Sequence, residues 1–306
     1  MDGRDKPGHD GYGKRSSLNV LTEKALAKIN LTLRVLGRRA DGYHELESLV
    51  AFADVGDGLR LQPGAPLALE IDGRYAEACG APADNLVLKA AAALSARVEG
   101  LRLGRFVLTK ELPVASGIGG GSADAAAALR LLVHGNRQIF SRVDFADSRL
   151  RETALAVGAD VPVCLASRAR IMRGVGEELL DPLDLPPLPA LLVNPGVPLS
   201  TRDVFGRLAG KFSKASSTEV PRDIAALVDW LGANGNDLTE PAIACVPAIA
   251  HVLTALGALP GVRLARMSGS GPTCFALFAS AADAEQAARA LKAEHKGWWI
   301  QPTTLR

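Results

Sequence analysis

The chain has 306 residues, a length that suits two domains better than one. Hydrophobic residues make up 48% and charged residues 22%, enough apolar surface for a sizeable buried core. A formal charge of +2 is far from the concentrated Lys and Arg of a nucleic-acid binder or a polybasic membrane protein, and leaves a small anionic ligand open.

Residues 1–17 are rich in Gly, Asp and basic side chains, lack the apolar run of a secretory signal, and are expected to form a disordered extension. Residues 26–35 largely alternate polar and apolar side chains, as a strand does, and Asp41-Gly42 signals a bend. Residues 58–71 read as a hairpin broken at Pro63-Gly64. The Ala- and Leu-rich stretch 85–98 predicts a helix, and 105–112 a strand ending at Pro113. Helices are expected over 122–133 and 143–157, the second closed by Gly158. A short strand, 190–193, lies inside a proline-rich region, and 223–231 and 245–256 read as helices.

Residues 241–262 carry no Asp, Glu, Lys or Arg and are long enough to cross a bilayer. Pro247, His251, Gly257, Pro260 and many small alanines favour a buried helix starting near Pro247 instead. Two strands, 263–267 and 274–278, are joined by the turn SGSGPT, and 282–293 forms a last amphipathic helix. Irregular alternation without a repeat predicts two α+β domains, divided near residues 165–185. Cys79, Cys164, Cys245 and Cys274 form no C-x-x-C pair and fit reduced thiols in a cytoplasmic protein. His9, His134, His251 and His295 show no metal-ligand spacing.

Between the strand and helix near residue 113 lie Pro113, Val114, Ala115, Ser116, Gly117, Ile118, Gly119, Gly120, Gly121, Ser122 and Ala123. Four glycines in five positions let a backbone approach a ligand closely and point free N–H groups at one anion, reinforced by the following helix dipole. Ser122 is placed to cap that helix or to touch a phosphate or its metal. The stretch lacks the G-K-[ST] of a Walker loop, and Ser122 breaks the dinucleotide fingerprint. A plain strand-to-helix turn accounts for one or two of the glycines, not four.

The pattern P-x-x-x-G-I-G-x-x-x-A resembles the phosphate loop of the GHMP kinase superfamily, to which galactokinase, homoserine kinase and mevalonate kinase belong. Ala27-Lys28-Ile29-Asn30 resembles its N-terminal strand motif, and residues 267–274 its C-terminal glycine motif. AKINLTLRVLGRRADGYHELES, Gly158-Ala-Asp-Val-Pro162 and Asn236-Asp-Leu238 are similar to one branch whose acceptor is a cytidine diphosphate derivative.

The resemblance implies an N-terminal nucleotide-binding α/β domain over residues 18–168 and a C-terminal ferredoxin-like α+β domain over 169–306. It implies ATP-dependent phosphorylation of the 2-hydroxyl on the methylerythritol part of the acceptor, with Mg2+ accompanying ATP, in non-mevalonate isoprenoid synthesis. Lys28 and Asp160 match the catalytic pair, with Asp160 accepting the hydroxyl proton and Lys28 orienting it. Residues 113–123 match the ATP site and Asn85 the adenine pocket. Tyr43, His44 and Phe205 match positions that hold the cytosine, and Asn30, Lys110 and Thr201 other substrate contacts. Many relatives carry two serines where this chain has Ser122-Ala123, so the metal ligands stay open. A cytoplasmic monomer or weak homodimer acting on a small molecule, without nucleic acid or membrane, is expected.

Each residue alone has a plainer reading. Lys28 can be a surface lysine, Asp160 a turn cap, Tyr43 and His44 a solvated hairpin tip, and Phe205 a core residue. Another GHMP kinase, acting on a sugar, homoserine or mevalonate, and a non-catalytic nucleotide-binding regulator are the competing functions.

Overall fold

The computed structural model describes residues 20–306 apart from 145, 209, 211, 217 and 218, so the expected extension over 1–17 lies outside the described residues. The strands are β1 (Leu21–Asn30), β2 (Arg34–Arg38), β3 (His44–Pro63), β4 (Ala68–Asp72), β5 (Gly104–Thr109), β6 (Arg170–Gly174), β7 (Glu178–Leu179), β8 (Leu188–Asn194), β9 (Leu264–Met267), β10 (Cys274–Leu277) and β11 (Trp299–Leu305). The helices are α1 (Leu86–Ser95), α2 (Gly120–Gly135), α3 (Ser148–Val157), α4 (Val161–Ala166), α5 (Thr201–Gly206), α6 (Ile224–Ala233), α7 (Thr239–Cys245), α8 (Ala248–Gly257) and α9 (Ala281–Glu294).

The long strand β3 is the spine. It pairs antiparallel with β2 through residues 44–47, with β1 through 50–61, with β6 through 46–50 and with β5 through 58–63. β6 follows residue 168 in the chain yet returns to this sheet. The expected hairpin over 58–71 does not form. The chain does turn after Pro63, but β5 inserts at the edge of β3, and β4 pairs parallel with β5 instead. Gly64 N donates to Leu103 O, which ties the turn to the inserted strand.

β8, β9, β10 and β11 run in the spatial order β11-β8-β10-β9, antiparallel throughout. Helices α5 to α8 separate β8 from β9, and α9 separates β10 from β11, which is the ferredoxin-like split arrangement. A single pairing, Leu305 with Ala53, joins this sheet to β3.

Helix α2 is rich in alanine, and Ala123, Ala125, Ala126, Ala127 and Ala128 are all buried. Small side chains let it sit close to the sheet, in one core with residues of α1, α3 and α4. A second core lies under α8 and α9, and a third joins β1, β8, β10 and α6.

The sequence reading 245–256 becomes two helices, since Cys245 ends α7 and Pro247 caps α8. Proline disfavours the helical conformation in the residue before it, and Val246 is extended at φ −134 and ψ 90. Among the described residues, no helix is long and apolar enough to cross a membrane. The four cysteines are free, and burial pushes the Cys164 thiol up to about 12.

Candidate active site

The glycine stretch leaves β5 through Lys110 to Leu112 and enters α2. Three residues along it take left-handed backbone: Ala115 at φ 50, Gly117 at φ 73 and Gly119 at φ 64. Alanine accepts this conformation at a cost of about 1–2 kcal/mol, a strain of the kind found in functional loops. At Gly117 no side chain fits, because a Cβ would lie 2.5 Å from Gly271 O and 2.8 Å from Ser268 O. The two glycine motifs, far apart in sequence, are thus pressed backbone to backbone. Thr273 N donates to Ser116 O, and Ser268 Oγ donates to Gly117 O at 3.2 Å.

Gly119 caps α2, and no side chain takes the first-turn N–H groups. Ser122 lies three residues inside the helix and does not cap it, contrary to one of its sequence readings; the glycines start the helix earlier than residue 122. The uncapped helix start faces the cleft, where an anion is favoured. Ile118 and Ala123 point into the core instead.

Lys28 follows an irregularity in the β1–β3 register between Leu26 and Lys28, a feature that re-aims a side chain. Its Nζ is 2.8 Å from Asp160 Oδ2, with side-chain exposures of 5% for the lysine and 33% for the aspartate. The surface-lysine reading is therefore wrong. Asp160 stands at the start of α4 but makes no capping bond with its side chain. A Cβ on Gly119 would lie 3.3 Å from Lys28 Cβ and 3.4 Å from its Cε, so the lysine stem packs directly under the loop.

Lys110 sits under the same loop, with its Nζ 3.3 Å from the position of a Cβ on Gly120. It donates to Asp57 Oδ2 and Asp124 Oδ2, each at 2.6 Å, and all three residues are buried. An ammonium has three hydrogens, so one remains for the cleft. Asp57 is fully satisfied, its Oδ1 accepting from Glu111 N and Leu112 N. Asp124 Oδ1 is buried without a partner. Burial outweighs the pull of Lys110, and the neighbouring Asp57 adds to it, so the Asp124 carboxyl is raised to about 7.

Asn30 lies two residues from Lys28 on β1, so both face the same side. Its backbone N donates to Ser268 Oγ and its Nδ2 to Ser48 Oγ, while its buried Oδ1 has no partner. Asn85 caps α1 by accepting from Val87 N, which leaves its amide NH2 for a ligand. At the other end, the His44 and Phe205 rings stack with centroids 4.9 Å apart, and Tyr43 is 65% exposed. Burial and the nearby Arg38 hold His44 below its usual value. Thr201 Oγ1 lies 2.8 Å from Ser270 Oγ of the C-terminal glycine motif.

A single cleft of about 1330 Å³ gathers these groups, including Lys28, Asp160, Asn30, Asn85, Lys110 and Thr201. Of the residues singled out from sequence, Ile118 and Ala123 alone do not line it. Asp124, Arg38, Arg202 and Phe212 line it too and escaped the sequence reading. A buried acid four residues into an alanine helix was the available hint for Asp124. Among the described residues, no group of three or more His, Cys, Asp or Glu forms a metal site.

The family description "GHMP kinases N terminal domain" matches residues 85–168, and "GHMP kinases C terminal" matches residues 209–297. A Rhodopseudomonas palustris protein called 4-diphosphocytidyl-2-C-methyl-D-erythritol kinase is 53% identical over 299 residues, covering 94% of this chain and 100% of that protein. A Bradyrhizobium diazoefficiens protein of the same name is 52% identical, covering 95% of this chain and 99% of its own length. A crystal structure of 4-(cytidine 5'-diphospho)-2C-methyl-D-erythritol kinase superposes with a TM-score of 0.75 at 32% identity, over 93% of this chain and 99% of the other. The chain belongs to the GHMP kinase family and is a small-molecule kinase.

Proposed function

We propose that the chain transfers the terminal phosphoryl group of ATP to the 2-hydroxyl of 4-diphosphocytidyl-2-C-methyl-D-erythritol, a step in non-mevalonate isoprenoid synthesis. The observation that carries this is the join of loop and acid. Lys28 bonds Asp160 at 2.8 Å while its stem packs under Gly119, so a carboxylate stands beside the site where backbone donors meet a triphosphate. The names of relatives more than half identical over nearly the whole chain supply the acceptor.

Phosphoryl transfer asks for alignment and for charge stabilisation rather than covalent help from the protein. The first turn of α2 and residues 113–121 hold the phosphates, and Asn85 receives the adenine. Asp160 accepts the proton of the acceptor hydroxyl as its oxygen attacks, and Lys28 fixes the carboxylate in place. Asn30 Oδ1, buried and unpartnered, accepts a hydrogen bond from the acceptor's polyol. Tyr43, His44 and Phe205 form the seat for the cytosine, with uncharged His44 hydrogen-bonding its edge.

Ser122, in the first turn of α2 and lining the cleft, would be placed to hold a magnesium ion that accompanies ATP, and the ion would supply charge neutralisation at the phosphates.

Purified protein incubated with ATP and the cytidine acceptor should release ADP in step with a new phosphomonoester signal in phosphorus NMR. Asp160→Asn should abolish this while ADP binding stays within about twofold. Phosphorylation of mevalonate or galactose with no action on the cytidine acceptor would refute the assignment, and retained turnover in Asp160→Asn would refute the base.

A further inference from the structure

Among the described residues, two aromatic side chains are strongly exposed, Tyr43 at 65% and Phe212 at 45%, and both line the same cleft. A single exposed apolar residue on an open surface needs no explanation, but apolar surface gathered in a cleft rimmed by polar groups marks a ligand-binding groove. The segment that carries Phe212 is not loose. Ser213 N donates to Val35 O at 2.9 Å, and Ser213 Oγ donates to Asp237 Oδ1 at 3.1 Å. Arg34 donates to Lys214 O, and Ser216 gives both its N and its Oγ to Glu47 Oε1 at 2.6 Å.

Glu47 is 2% exposed, and its second oxygen takes Arg173 at 2.8 Å. Burial works against its charge, but the bonds from Ser216 and Arg173 prevail and hold its carboxyl below the usual range. The fastening points are telling. Val35 lies on β2 and Glu47 on β3, the two strands whose connecting turn presents Tyr43 and His44. Phe205 stands on α5, just before the fastened segment. Phe212 is thereby fixed to the same frame as the other three rings.

We propose that Phe212 is a further acceptor-binding residue, an additional aromatic wall for the planar base of the acceptor, held over the cleft by the strap 213–216. This rests on the reading that the acceptor carries a cytidine diphosphate. Stacking on an aromatic side chain suits any flat base, so hydrogen bonds from His44 supply the discrimination and Phe212 supplies affinity.

The test measures binding of cytidine diphosphate and of ADP by calorimetry to wild type, Phe212→Ala and Phe212→Tyr. Phe212→Ala should weaken cytidine diphosphate about tenfold, within the range known for base stacking on an aromatic. ADP binding should stay within about twofold, which also reports an intact fold, and Phe212→Tyr should restore the cytidine ligand. Unchanged cytidine diphosphate binding in Phe212→Ala, or an equal loss of ADP binding, overturns the role of Phe212 alone. A wild type that binds ADP and no cytidine diphosphate overturns the acceptor assignment and this inference together.

Discussion

Replacing Asp124 by Asn tests the buried cluster under the glycine loop. One ammonium, Lys110, faces two buried carboxylates, Asp57 and Asp124, and only Asp57 has both its oxygens satisfied. Burial and the Asp57 charge raise Asp124 from its ordinary 3.8 to about 7. In the folded protein this acid therefore holds its proton through a pH window where the unfolded chain has already lost it. Stability falls as pH rises across that window, by about 1.4 kcal/mol per unit. The loss is about 2 kcal/mol between pH 5 and pH 7, and levels off above. Asparagine keeps a carbonyl oxygen for Lys110 and carries no charge, so the variant lacks this slope. Urea unfolding of both proteins at pH 5, 6, 7 and 8 reads the difference. Wild-type stability relative to Asp124→Asn should drop through the window and then run level. Parallel curves at all four pH values would show that the second carboxylate is already compensated, and the reasoning would fail.

Gly117→Ala should lower the melting temperature and raise the KM for ATP at least tenfold, since its Cβ would meet Gly271 O at 2.5 Å in a left-handed backbone. An unchanged KM for ATP would mean that this contact does not shape the loop. Arg38→Ala removes the second cause, after burial, that keeps His44 below its usual value. The acid limb in a profile of acceptor KM against pH should move upward, and a stationary limb would show that His44 does not govern it.

The loop was legible because its signal is local: four glycines in five positions between a strand and a helix need no distant partner to be read. Even there the reasons differ along the run. Gly117 and Gly119 serve left-handed turns, while Gly120 lies within α2 and gives room above the Lys110 ammonium. The start of α8 was legible for the same reason, since a proline acts on its immediate neighbour. The ferredoxin-like half came from resemblance, not from periodicity.

What stayed hidden depends on contacts across long separations. The hairpin at 58–71 looked complete in itself, and only the arrival of β5, more than thirty residues later, shows why the two strands part. Asp57, flanked by Gly56 and Gly58, was not singled out from the sequence, yet it meets Lys110 from 53 residues away. Asp160 taken alone reads as a turn cap, and only the resemblance pairs it with Lys28, which lies 132 residues away and bonds its carboxylate. The same logic explains Phe212: nothing beside it in sequence marks it, and its meaning comes from Glu47 and Val35, which fasten its strap to the turn that carries Tyr43. In this kinase the groups proposed to touch phosphate belong to one continuous segment and can be read from it. The groups that aim them, and those that would meet the acceptor, are assembled from strands and loops that only the fold brings together.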